Sequence, residues 1–120
     1  MNAVDVHALV MRYFNAWQEP TDWDAFRACL HDEVVFDPGG GHMIRGADAL
    51  MDMLAATESP WRDVELLAST YSDGDAALFY EGTDRRSGVR TRVGEHVTVT
   101  EGGISRVVAV ILPLPVPDSA

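Results

Sequence analysis

Residues 63 to 114 carry the strongest constraint on the fold. Four runs, "DVELLASTY", "AALFYEG", "RTRVGEHVTV" and "ISRVVAVILPL", are rich in β-branched and aromatic residues and are separated by "SDGD", "TDRRSG" and "EGG". Short connections of Gly, Asp and Ser between such runs make hairpin turns, so this half of the chain reads as a four-strand antiparallel meander. A meander with one apolar face must bury it against something, and the first half of the chain supplies helices.

Apolar side chains at Val6, Leu9, Val10, Tyr13 and Trp17 form a helical stripe over residues 3 to 18, which Pro20 stops. "TDWDAF" restarts a helix, with Thr21 and Asp24 spaced as a capping box and Trp23, Phe26 and Leu30 on one face. Residues 34 to 37 read as a strand. "GADALMDMLAAT" then gives a third helix with Ala47, Leu50, Met51 and Leu54 in phase. Helices followed by strands argue for an α+β fold, a curved sheet wrapped around helices. "AALFYEG" and "RVVAVIL" are apolar at both parities, so both sheet faces should be covered, one by helices and the other by a second copy of the chain.

At 120 residues the chain is long enough for one core. Residues 1–112 are expected to form a single domain and residues 113–120, "PLPVPDSA", a Pro-rich C-terminal tail. Nine basic against nineteen acidic residues give a net charge of -10, which argues against nucleic acid and anionic membrane as partners. Cys29 is the only cysteine, so neither an internal disulfide nor a cysteine metal site is expected. Asp5, His7 and Arg12 argue against a signal peptide, and no apolar run approaches the roughly 20 residues a span needs. A soluble, cytoplasmic domain is the expectation. His7, His31, His42 and His96 lack metal-ligand spacing, and "GGGH" lacks the Gly-Lys-Ser/Thr of a phosphate loop.

Alternation along "RTRVGEHVTV" sorts its polar groups. Thr91, Val93, Glu95, Val97 and Val99 share one face, while Arg90, Arg92, Gly94, His96 and Thr98 share the other. Glu95 therefore points inward among valines, where desolvation penalises its charged form, unless a bulge at Gly94 exchanges it with His96. Tyr13 lies on the apolar stripe of the first helix, so its hydroxyl needs a partner. Asp37 ends the early strand before Pro38 and is either a turn aspartate or a carboxylate at a pocket mouth. Two carboxyls in opposed environments with a tyrosine suit proton abstraction next to a carbonyl.

"RYFNAW…DWDAFRACLHDEVVFDPGG…IRGADALMDM" resembles the ketosteroid isomerase branch of the NTF2-like, or SnoaL-like, superfamily, over about residues 6 to 112 by element order. The resemblance implies the NTF2-like cone, a strongly curved antiparallel sheet wrapped around three N-terminal helices and dimeric across the sheet. It also implies that Tyr13 donates to an oxyanion, that Asp37 shuttles the proton and that protonated Glu95 is the second donor. No cofactor or metal is implied. Glu95 stands where the isomerases carry an aspartic acid, and its extra methylene calls for a displaced side chain or a smaller ligand. The expected substrate is a small hydrophobic carbonyl compound, steroid- or polyketide-like. Its expected lining is Trp17, Val35, Phe36, Met53, Leu54, Trp61, Val97 and Val110.

Four other readings use the same cavity. A polyketide cyclase would deprotonate its substrate with an acidic residue, and a dehydratase would engage His42 and His96. An epoxide hydrolase would need an Asp-Arg-Asp set, of which Arg92 and Asp37 offer only part. A binding module would follow if Trp17, Trp23 and Trp61 filled the cavity.

Overall fold

A computed structural model describes residues 1–18, 20–39, 41–56 and 61–115. Helix α1 spans Ala3–Trp17, and the Asn2 side chain caps it by accepting from the Asp5 amide at 2.9 Å. Its stripe buries Val6, Val10, Tyr13 and Phe14. Helix α2, Trp23–Ala28, is capped by Asp22, whose carboxylate accepts from the Ala25 amide. That replaces the expected Thr21–Asp24 box. The Thr21 hydroxyl instead donates back to the Trp17 carbonyl and closes α1.

Strand β1, Leu30–Asp37, begins four residues before the expected position, and the two-residue strand β2, Ile44–Arg45, was not foreseen. Helix α3 covers Ala47–Ala55. Strands β3 (Trp61–Ser72), β4 (Asp75–Asp84), β5 (Arg90–Thr100) and β6 (Gly103–Pro113) form the antiparallel meander read from the hairpin turns. Residues 116–120 of the expected tail lie outside the described residues. No helix among the described residues is long and apolar enough to cross a membrane.

The sheet corrects the expected cone. All six strands lie in one open sheet in the order β2-β1-β6-β5-β4-β3, with β2 and β3 on opposite edges. It is mixed, because β1 runs parallel to β6, pairing Phe36 with Val107 and Asp37 with Val108. It is not a strongly curved, wholly antiparallel sheet closed into a cone. The chain enters β1 from α2 and reaches β6 only after α3 and the whole meander, a crossover that permits parallel pairing. Gly103 makes the junction possible: its φ is 116°, and a Cβ there would stand 2.8 Å from the Cys29 carbonyl.

One sheet face carries the core. Ala76, Leu78 and Tyr80 of β4, Val93, Val97 and Val99 of β5, and Ile104 and Val107 of β6 are buried, together with Phe14, Phe26 and Leu50 of the helices. Strand β3 keeps its half-buried residues on that face through two register shifts, between Arg62 and Glu65 and between Leu66 and Ala68. Gly82 is buried opposite the start of β3, and a Cβ there would meet the Trp61 Cβ at 3.1 Å, so the missing side chain is what lets Trp61 lie across β4. The other face exposes Phe79, Val110 and Leu112.

Candidate active site

Strand β5 alternates as its sequence suggests. Thr91, Val93, Glu95, Val97 and Val99 are buried, while Arg92 and His96 are exposed. The register with β4 runs unbroken through the pair Phe79–Gly94, so no bulge exchanges Glu95 and His96. The irregularity in β5 lies between Thr98 and Val99 instead.

Glu95 is 6 % exposed and is held at both oxygens. The Tyr13 hydroxyl, from α1, donates to Oε1 at 2.8 Å, and the Tyr80 hydroxyl, from β4, donates to Oε2. The three groups come from distant parts of the chain: helical spacing turns Tyr13 to the sheet, and Tyr80 shares the buried parity of Ala76 and Leu78. Desolvation raises the Glu95 carboxyl above its ordinary range, and the hydrogen bonds from Tyr80 and Tyr13 pull it partly back. Burial and the neighbouring carboxyl push both phenols upward, so they remain neutral donors.

These groups open onto a pocket of about 130 Å³. Trp17, Trp23, Phe26, Phe36 and Trp61 line it with the two tyrosines, and Leu30, Leu50, Leu54, Val107 and Thr21 complete the wall. Trp23, one of these lining residues, is 38 % exposed. The three tryptophans line the space and do not fill it. Glu95 is the only carboxyl among the described lining residues, and no arginine or histidine joins it there. No group of side chains suited to a metal ion occurs among the described residues.

Of the residues expected from sequence, Tyr13 and Glu95 meet, and Trp17, Phe36, Leu54 and Trp61 line the pocket. Asp37 does not join them. It alternates with Phe36, pairs with Val108 and accepts from the Gly39 amide at 3.0 Å, the geometry of a turn aspartate. Val35 shares that parity and pairs with Arg45. Met53 lies off the buried stripe of α3 and is exposed. Val97 is wholly buried in the core beyond the pocket, and Val110 is 68 % exposed on the opposite sheet face. His42 is exposed, and His96 bonds Asp75 at 3.2 Å on the outer face. Arg92 pairs there with Glu81 at 2.8 Å, so neither the histidine-based nor the Asp-Arg-Asp arrangement is assembled among the described residues.

Tyr80 is the residue that sequence reasoning missed. Its parity was hidden because "AALFYEG" is apolar on both faces, yet the hairpin register with β5 sets Tyr80 opposite Val93 and Leu78 opposite Glu95.

Residues 10–107 match the SnoaL-like domain family. No curated protein matches the sequence. A proposed ketosteroid isomerase from Kribbella flavida DSM 17836 superposes with a TM-score of 0.83 at 18% identity, over 98% of this chain and 85% of that one. A proposed polyketide cyclase from Sinorhizobium meliloti gives 0.74 at 21% identity, over 92% and 100%. Another, from Xanthomonas campestris pv. campestris, gives 0.69 at 25% identity, over 91% of both chains. With the match covering most of its length, the chain belongs to the SnoaL-like domain family, of NTF2-like fold.

Proposed function

We propose that the protein is a cofactor-independent acid–base enzyme that moves a proton on a small apolar carbonyl compound. The observation that carries this reading is the carboxyl of Glu95, the only one among the described lining residues, buried in an aromatic pocket and bonded at both oxygens by tyrosine hydroxyls. Burial raises the Glu95 carboxyl above its ordinary range, which makes its ionised form a stronger base. Ionised Glu95 takes a proton from the carbon next to the carbonyl. The C–H electron pair forms the C=C bond of an enolate, and the negative charge moves to oxygen. A protonated Glu95 draws less on its two donors, so a tyrosine hydroxyl is free to turn to the enolate oxygen. Returning the proton to a different carbon shifts a double bond. Attack of the enolate carbon on a second carbonyl closes a ring, the C=O π pair moving to oxygen and the new alkoxide taking the proton back from Glu95. The descriptions carried by the Kribbella and Sinorhizobium proteins fall into these two outcomes.

The resemblance would place the base at Asp37, but that carboxylate is engaged in a turn outside the pocket lining, so the reading assigns the proton to Glu95. The test follows conjugated-enone absorbance with β,γ-unsaturated ketones from a single ring up to a 3-ketosteroid, and ring closure with a linear poly-β-ketone. Glu95→Gln should lose at least about 10²-fold in turnover, while Asp37→Asn stays within a few-fold. Loss in Asp37→Asn with activity retained in Glu95→Gln would move the base. No turnover on any compound that demonstrably binds would overturn the enzymatic reading.

A further inference from the structure

The walls around Glu95 are aromatic to a degree that a neutral carbonyl compound does not require. Seven of the thirteen described lining residues carry aromatic rings. Their ring contacts fall into two groups, or banks. In one, Trp17 packs on Tyr80 with ring centroids 5.7 Å apart. In the other, Tyr13 packs on Phe26 at 5.4 Å and Phe26 on Trp23 at 6.4 Å. Glu95 joins the banks, because it accepts from Tyr13 on one and Tyr80 on the other. A carboxylate has about four acceptor positions, so these two bonds leave room for a further donor.

The described lining residues include no cation. A buried carboxylate ordinarily has an Arg or Lys partner. Every basic residue of this chain is arginine, and none is among the described residues lining the pocket. Aromatic faces carry negative quadrupoles, and a pocket lined by such rings together with a carboxylate suits an organic cation. The net charge of -10 raises the concentration of cations near the surface.

From this geometry we infer that the pocket is a binding site for small organic ammonium ions, with Glu95 as counter-ion and the two aromatic banks as the cage. An alkyl- or arylalkylammonium group places its N–H donors on the free acceptor positions of Glu95 and its hydrocarbon against the rings. The inference uses the pocket of the proton-transfer reading but does not depend on catalysis. An amine of this kind occupies the base and acts as a competitive inhibitor of any turnover.

Benzylammonium and benzyl alcohol are close in shape and differ in charge at neutral pH, which makes them a direct probe pair. Trp17, Trp23 and Trp61 all line the pocket, so intrinsic fluorescence reports occupancy, with calorimetry as a second readout. On the unmodified protein, benzylammonium should bind roughly tenfold tighter than the alcohol or better. Glu95→Gln should erase the preference while leaving the alcohol's affinity within a few-fold. Trp17→Leu, which keeps the carboxyl, should weaken both ligands. Equal affinity of the two probes for the unmodified protein would overturn the inference without any variant. So would a preference that survives Glu95→Gln and disappears in about 0.5 M salt, since that is attraction to the acidic surface. Turnover plays no part in these outcomes, so failure of the enzymatic reading is separately recognisable.

Discussion

Replacing Tyr80 by Phe removes one oxygen from a 3 % exposed side chain and leaves its ring packing against Trp17 and Phe14 in place. The loss is therefore confined to the hydroxyl that donates to Glu95 Oε2. A bond to an ionised group is worth about 1.5–3 kcal/mol, and one between neutral groups about 0.5–1.5 kcal/mol. Because this bond favours the charged form of Glu95, its removal costs more at a pH where the carboxyl is ionised in the folded protein. At alkaline pH the variant should lose about 1.5–3 kcal/mol, a melting point lower by roughly 6–12 °C for a domain of this size. Near pH 4 the loss should shrink to about 1 kcal/mol or less. Urea unfolding followed by tryptophan fluorescence at both pH values measures it, with far-UV circular dichroism to check that the variant folds. A loss below about 0.5 kcal/mol at both, or one that grows on acidification, would refute the claim that Tyr80 supports a buried, titrating carboxyl.

Two other perturbations probe the molecule independently. Burial raises Glu95, so the folded chain keeps this proton at pH values where the unfolded chain has released it. Its contribution to stability is complete below the unfolded carboxyl titration and falls as pH rises toward the folded one, by about 1.4 kcal/mol for each pH decade between them. Glu95→Gln removes that dependence, so its stability relative to the unmodified protein should improve steadily from about pH 4 upward, and a constant difference would contradict the assignment. On the other sheet face, Phe79 and Val110 flank Gly94 in one row and are 44 % and 68 % exposed, the patch expected from sequence to be covered by a second copy. Sedimentation should show a dimer at micromolar concentration that Phe79→Glu converts to monomer, and a monomeric unmodified protein would refute the pairing.

The parts of the molecule legible in the sequence were those written in alternation and helical phase. Val93, Val97 and Val99 identified the inward face of β5, and Glu95 followed from them. Tyr13 followed from the stripe of Val6 and Val10. Hairpin turns settled the order of β3 to β6. Other features have no such signature. Parallel pairing of β1 with β6 depends on where the chain returns, and β2 is too short for any period to mark. Two bulges in β3 shift its parity, which local sequence does not announce. Tyr80 was hidden because Leu78 and Phe79 look equally apolar, although Leu78 is buried and Phe79 exposed. The cone and the role of Asp37 rested on resemblance more than on spacing. The observed sheet is open and mixed where a cone was expected, and Asp37 is not among the described lining residues of the pocket.

Glu95 unites the two readings of the pocket through its charge. Abstracting a proton and holding an ammonium ion both need the carboxylate, and burial works against that form. Tyr13 and Tyr80 oppose burial, each by donating to one oxygen. They are also the only other titratable groups among the described lining residues, and both stay neutral. An arginine in their place would hold Glu95 ionised outright, leaving a weak base and no vacancy for a cation. Two phenols do something intermediate: they make ionisation attainable without neutralising it. The site thus keeps a carboxyl that can change its protonation state inside an apolar pocket, and that property serves either chemistry. The tyrosine pair, more than the glutamate alone, decides what this pocket can do.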